Sequence, residues 1–215
     1  MELKNEDNIV QNNGMKLVDR RLKYKAHRVK VYEDEIETPE GQRVYYDFVE
    51  NRNGSGVLLV DTDGKLLFVK QYRNCVNRMD IEIPAGCAEP SDFDGFNLDS
   101  MTRDQLSDSF TREDFESPDN PFYKCAVREA QEETGLIPGK LKFVNYIIGA
   151  VGLFSERTAV YIGSDLKKGS LNMDEDEYID LVRLSLDEAL ELVKTGNIND
   201  SKTILAIFAY KICKP

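Results

Sequence analysis

Residues 128–136 read Arg128-Glu129-Ala130-Gln131-Glu132-Glu133-Thr134-Gly135-Leu136. At about 100° per residue on a helix, Glu129, Glu132 and Glu133 fall on one side. Ala126, Ala130 and Thr134 fall on the adjoining side and are small enough for close packing. Three carboxylates thus converge in the last two turns. Stability alone would not choose this arrangement. Like charges at i,i+4 cost a few tenths of a kcal/mol, by about the amount an opposite pair gains. The negative end of a helix dipole also prefers cations. Arg128, four residues before Glu132, gives the local relief. A divalent cation would neutralise the cluster and turn the penalty into a site. The competing reading is a solvated acidic face, since structural charge clusters are common. Helix geometry alone weighs the two evenly.

Composition narrows the chemistry. His27 is the single histidine, which excludes an H-E-x-x-H metalloprotease and leaves a His-based triad little room. Cys75, Cys87, Cys125 and Cys213 are scattered without a C-x-x-C pair, against a zinc site or a disulfide framework. Metal chemistry here must run on carboxylates, which favours Mg²⁺ or Mn²⁺ over zinc. Twenty-eight Lys and Arg against 39 Asp and Glu give a net charge of −11. That balance argues against long nucleic acids, which demand a basic face. It leaves room for a small phosphorylated ligand held by a metal or a few local cations. The 215 residues, 41% hydrophobic, support one sizeable domain with an N-terminal extension. Apolar runs such as Val57–Val60 and Tyr146–Val151 fall far short of the roughly 18 residues a membrane span needs. Residues 1–14 are charged and Asn-rich with no apolar stretch, so no secretory leader is expected and the expected location is cytoplasmic.

The elements that must position the acidic helix follow from periodicity and turn residues. Alternation predicts strands over 28–36 and 44–49, joined by the turn Thr38-Pro39-Glu40-Gly41. A second hairpin joins 57–61 to 66–70 through Asp63-Gly64. A short strand at 79–83 stops at Pro84. Residues 90–119, rich in Asp, Ser and Phe, read as an inserted surface segment with a short helix near 103–110. The acidic helix spans 120–134 and ends at Gly135, the usual C′ residue, with Pro138 beyond. Strands follow at 141–148, 157–162 and 178–184. Ser185 and Glu188 form a capping box for a helix to about 195, and a last helix covers 201–213. This order predicts an α/β domain with a mixed sheet covered on both faces.

The string Arg-Glu-(apolar)-x-Glu-Glu-x-Gly-(apolar) resembles the second half of the Nudix box, the signature of the Nudix hydrolase family. Every fixed position of that half is matched. Gly86, in Ile83-Pro84-Ala85-Gly86, resembles the Gly that opens the box. The insertion then lengthens the gap to Arg128. The box's first Glu has no clean counterpart: Asp92 has the right offset from Gly86, while Asn120 has the right offset from Arg128. Phe68-Val69-Lys70-Gln71-Tyr72-Arg73, Glu82-Ile83-Pro84-Ala85-Gly86 and Gly152-Leu153-Phe154-Ser155-Glu156-Arg157 are similar to the ADP-ribose pyrophosphatase branch. So are Asp187-Glu188-Ala189-Leu190 and the segment Gly196 to Thr203. The resemblance covers about residues 28–213, apart from 90–119.

The resemblance implies a Nudix-type α/β/α sandwich at 51–215 with a mixed sheet and an insertion at about 90–119. It implies an N-terminal extension at 1–50 carrying a β-hairpin, swapped across a homodimer. The implied activity is Mg²⁺-dependent hydrolysis of the pyrophosphate of a nucleoside diphosphate sugar, foremost ADP-ribose to AMP and ribose 5-phosphate, with Mn²⁺ the alternative cation. GDP-mannose or ADP-glucose hydrolysis, or a non-catalytic ligand sensor, are the rivals. Neither nucleic acid nor membrane is expected as a partner. Implied metal ligands are Glu129, Glu132, Glu133 and the Ala85 carbonyl, with Arg128 orienting carboxylates. Implied substrate contacts are Arg73, directly after an edge-like strand, with Glu82 and Glu156. The general base is implied on the loop 172–178, with Glu177 first and Glu175 second; Glu132 is a further catalytic candidate. Tyr24, Tyr32, Tyr45 and Tyr46 are the candidate platforms for a base.

Overall fold

The computed structural model describes residues 13–94, 110–170 and 179–213. Its contacts divide the chain into two units, Met1–Asn51 with Ala150–Ser155, and Arg52–Gly149 with Glu156–Pro215.

The smaller unit is an antiparallel sheet of β1 (Lys16–Lys25), β2 (Lys30–Glu37) and β3 (Arg43–Glu50). The β2–β3 hairpin matches the alternation in the sequence. β1 was not anticipated. Its register shifts between Leu17 and Asp19 and again between Leu22 and Tyr24. Each bulge moves the following side chains to the opposite face, which breaks the period-2 pattern. Charge pairing across the strands compensates. Arg20 donates to both carboxylate oxygens of Asp34, each at 2.7 Å, and its guanidinium lies 4.6 Å from the centre of the Phe48 ring. Leu153 adds to this unit by accepting the Val49 N–H at 2.8 Å.

The larger unit is built on a seven-stranded mixed sheet. Its main path runs β12 (Ile179–Leu184), β5 (Leu66–Arg73), β4 (Gly54–Val60), β10 (Thr158–Ser164) and β9 (Lys140–Ile147). Only β4 and β10 are parallel in this path; the other pairs are antiparallel. β5 is therefore an interior strand, not the edge expected from sequence. Leu66–Val69 are all buried, which a strand flanked on both sides and covered on both faces requires. β8 (Leu136–Ile137) and β11 (Lys167–Lys168) form a separate small pair.

The alternation along each strand divides the core in two. Val57, Leu59, Leu67, Ala159 and Tyr161 pack with Phe122, Ala126 and Ala130 of the helix α2 (Pro121–Thr134). Leu58, Leu66, Phe68 and Val160 pack with Ala189 of α3 (Leu186–Lys194) and Ala206 and Ile207 of α4 (Ser201–Cys213). The result is the α/β/α sandwich expected. α1 (Arg112–Phe115) is a single turn capped by Thr111, later in the chain than the helix expected at 103–110, most of which lies outside the described residues.

One departure from a regular sheet positions the site. β4 and β5 pair over only Leu59–Leu67 and Val60–Leu66. Beyond that point they diverge. β6 (Arg78–Glu82) takes the β5 edge and β7 (Ala85–Cys87) takes the β4 edge. The chain crosses between them at Ile83-Pro84, where Pro84 accepts the Val57 N–H at 2.9 Å. Among the described residues no helix is long and apolar enough to cross a membrane.

Candidate active site

Helix α2 is defined at both ends. Asn120 accepts the Phe122 N–H at 2.9 Å, Pro121 occupies the first turn, and Gly135 closes the helix at φ 70°. Ser55 of β4 donates to the Phe122 carbonyl at 2.8 Å, fixing the first turn to the sheet. The buried stripe runs Phe122, Cys125, Ala126, Glu129, Ala130, Glu133. Two carboxylates therefore continue an apolar face. Glu129 is 8% exposed and Glu133 is 6% exposed. Burial of this kind is costly unless the charge is paired.

The divergence of β4 and β5 supplies the partners. The Ala85 N–H donates to Glu133 Oε2 at 3.2 Å. Glu129 lies over Gly86: a Cβ there would fall 2.2 Å from Oε1, 2.3 Å from Cδ and 2.4 Å from Oε2. Gly54 is required in turn, because its Cβ would come within 2.2 Å of the Gly86 carbonyl oxygen. Cys125, buried beneath, is inert: desolvation pushes its thiol well above the ordinary range.

Arg128 organises the acidic ridge. Its Nη1 lies 2.8 Å from Glu129 Oε1 and 2.7 Å from Glu132 Oε2. Nη2 donates to the Cys87 carbonyl at 2.9 Å and to Asp92 Oδ2 at 3.1 Å, and Nε reaches Asp92 Oδ1 at 3.3 Å. Asp92 also accepts the Glu89 N–H at 2.8 Å. The two positions with the offset of the box's first Glu make separate contacts. Asp92 anchors Arg128, and Asn120 caps the helix.

Arg73, at the end of β5, forks onto Glu82 of β6, with Nε to Oε1 at 2.6 Å and Nη2 to Oε2 at 2.9 Å. Lys202 Nζ reaches the same Oε2 at 2.6 Å and Asp200 Oδ1 at 2.9 Å. Burial pushes the Glu82 carboxyl up, but the Arg73 hydrogen bond and the Lys202 charge outweigh it and hold it at about 2. The Arg73 guanidinium is stabilised chiefly by Glu82, with Glu133 contributing from nearby. Glu82 is 3% exposed, so the structure places it as the holder of Arg73.

Glu156 lies just before β10, whose Thr158 pairs with Gly54 at the sheet end carrying β7. It accepts from Thr158 Oγ1 at 3.3 Å. Glu175 and Glu177 lie outside the described residues. An open cleft of about 420 Å³ follows α2 and includes Arg128 and Glu132 in its lining. Sequence reasoning assigned no role to Lys202, Asp200 or Thr203. The signal available was a lysine in the first turn of a helix, where cations are disfavoured.

The donor set fits a hard divalent cation in kind, being entirely oxygen, and Gly86 leaves room for the Glu129 carboxylate. The carboxylates are not gathered, however. Among the described residues no three acidic, thiol or imidazole groups lie close enough to hold an ion. Arg128 draws Glu129 and Glu132 to its guanidinium, and Glu133 takes the Ala85 N–H. The convergence expected from helix geometry is thus only partial, and a cation would compete with Arg128 for these oxygens.

A mixed-sheet α/β/α fold with a carboxylate helix lying on a glycine turn defines a class, and comparison with known proteins identifies it. Residues 113–206 match the NUDIX domain. The chain is 28% identical over 181 residues to an ADP-ribose pyrophosphatase of Bacillus subtilis, covering 83% of each chain. It is 29% identical, with the same coverage, to a methanol dehydrogenase activator of Bacillus methanolicus. A GDP-mannose pyrophosphatase of Escherichia coli is 34% identical over 86 residues, 39% of this chain and 45% of that protein. The fold matches the crystal structure of an ADP compounds hydrolase with a TM-score of 0.70 at 20% identity, covering 92% of both chains. Residues 113–206 thus match the NUDIX domain, and over most of its length the chain is similar to an ADP-ribose pyrophosphatase. The NUDIX match and the Bacillus subtilis relative support a Nudix-type pyrophosphohydrolase.

Proposed function

We propose that the protein hydrolyses the pyrophosphate bond of ADP-ribose to AMP and ribose 5-phosphate, with Mg²⁺ as the working cation. The observation that carries this reading is the buried pair Glu129 and Glu133 held against Ala85-Gly86. Glu129 pairs with Arg128 and Glu133 accepts the Ala85 N–H, so one packed helix face carries two ordered carboxylates, the oxygen donors a hard cation takes. When bound, Mg²⁺ neutralises phosphate charge, polarises the attacked phosphorus and acidifies a water.

The chain's own residues would divide the remaining work. Glu129 and Glu133 would hold the cation with the Ala85 carbonyl, and Glu132 would join them once Arg128 releases it. Arg73 would take a phosphate or the terminal ribose, fixed in direction by Glu82. Glu156, beside the strand end carrying Gly86, would bind substrate. Glu177, or failing that Glu175, would take the proton from the attacking water. The 16–50 sheet would belong to a homodimer. β1 is exposed along its length, and Leu17, Leu22 and Tyr24 are each more than half exposed. The protein would act in the cytoplasm, where its nucleotide substrates are.

GDP-mannose is the second reading, favoured by the E. coli relative named for it. A panel of ADP-ribose, ADP-glucose and GDP-mannose, read by phosphatase-coupled phosphate release with and without Mg²⁺, tests both. ADP-ribose should show the highest kcat/KM. A higher value for GDP-mannose would replace the assignment, and no Mg²⁺-dependent release from any of them would overturn it.

A further inference from the structure

The first turn of α4 reaches into the strand crossover that holds the site. Asp200 caps the helix, accepting the Thr203 N–H at 3.0 Å and the Thr203 hydroxyl at 2.6 Å. Thr203 Oγ1 in turn accepts the Ile83 N–H at 2.9 Å. One residue before Ile83, Glu82 meets Lys202 Nζ at 2.6 Å. Two residues after it, Ala85 holds Glu133. The helix therefore grips both the residue that aims Arg73 and the turn that supports the carboxylates.

Lys202 is the unusual member. Its side chain is 15% exposed, and it sits at the positive end of a helix dipole. Both features cost stability. Apolar residues of similar volume replace buried ion pairs at little or no stability cost. Its position is explained by the two carboxylates it bridges, Glu82 and Asp200. Glu82 Oε2 takes a bond from Lys202 and one from Arg73, so the lysine sets where that oxygen, and hence the fork, can lie.

We infer that Lys202 is a positioning residue, carried by the C-terminal helix, that locks the Arg73–Glu82 fork and so fixes the guanidinium for substrate. Its use toward substrate rests on the reading of Arg73 given above; the locking does not. In wild-type protein one arginine Nε–H, assigned by its disappearance in Arg73→Lys, should be protected from exchange by its 2.6 Å bond to Glu82. In Lys202→Met that proton should exchange about tenfold faster, within the coupling range of residues in one hydrogen-bond network. Lys202→Arg should keep most of the protection. In turnover, Lys202→Met should raise KM for ADP-ribose about tenfold with little change in kcat, the mark of lost ground-state binding. The rise should vanish in an Arg73→Met background, because the two act as one unit.

Unchanged exchange of the Arg73 proton in folded Lys202→Met would overturn the inference. So would a KM effect that adds fully to that of Arg73→Met. If Lys202→Met fails to fold, Lys202→Gln is read in the same way. If the wild type hydrolyses no nucleotide sugar, the functional reading falls while the exchange measurement still decides the locking.

Discussion

Asp92 and Arg128, 36 residues apart in the chain, meet through two hydrogen bonds, Nε to Oδ1 at 3.3 Å and Nη2 to Oδ2 at 3.1 Å. Arg128 holds Glu129 and Glu132 with its remaining nitrogen, so Asp92 acts on the acidic ridge through the guanidinium. Asp92→Ala should weaken apparent Mg²⁺ affinity or kcat about 10–100-fold, the usual cost of losing a supporting contact at a metal site. Asp92→Glu should restore part of it. Mg²⁺ titrations of turnover check this; an Asp92→Ala enzyme indistinguishable from wild type would detach the residue from the site.

Gly86 tests the cradle directly. An added Cβ would collide with the Glu129 carboxylate, which is the movable end of a side chain. The strain should cost about 1 kcal/mol, the low end for overpacking. Turnover should suffer far more, because the carboxylate is pushed off its place. Gly86→Ala should therefore melt within a few degrees of wild type while losing on the order of 10²-fold in kcat/KM. Equal losses in stability and activity would contradict the cradle.

The Glu82 carboxyl is lowered from 4.5 to about 2 by its cationic neighbours against its burial. A lowered folded value means stability that is fully present above about pH 4.5 and is lost as pH falls toward 2. The shift corresponds to on the order of 3 kcal/mol. Urea unfolding of Glu82→Gln across pH 2–5 should show a flatter dependence than wild type. Parallel curves would mean the fork carries no such linkage.

The general base is assigned by resemblance to the loop outside the described residues. Glu177→Gln should lower kcat by about 10²–10⁴ with KM nearly unchanged, the usual range for general-base loss. Glu175→Gln should do much less. The reverse order would move the base to Glu175, and a few-fold loss in both would move attention to Glu132 or Glu156.

Legibility in the sequence tracked how local the determinants are. Helix α2 could be read almost to the residue because its stop, its apolar stripe and its carboxylates are all local. The Ser185–Glu188 capping box, with Ser185 N–H donating to Glu188 at 2.7 Å, was legible for the same reason. β1 was not, since two bulges erase its alternation. Nor was β7, three residues of Ala-Gly-Cys that become a strand only by pairing with Gly54–Gly56. The interior place of β5 depends on β12, more than a hundred residues later. In the site, the carboxylates and Arg73 were visible as residue types. What holds them was not: Asp92 on Arg128 and Lys202 on Glu82 are contacts closed by tertiary structure across 36 and 120 residues.

In the proposed function the buried glutamates of α2 serve Mg²⁺-dependent cleavage of ADP-ribose. Chromatography of products from wild type and Glu133→Gln, each with Mg²⁺ and with EDTA, tests it most directly. Wild type should yield equal AMP and ribose 5-phosphate with Mg²⁺ and neither with EDTA. Glu133→Gln should keep the wild-type circular dichroism yet lose nearly all turnover, because a neutral amide is a far poorer ligand for a hard cation. A Glu133→Gln enzyme with wild-type kcat at saturating Mg²⁺ would contradict the account.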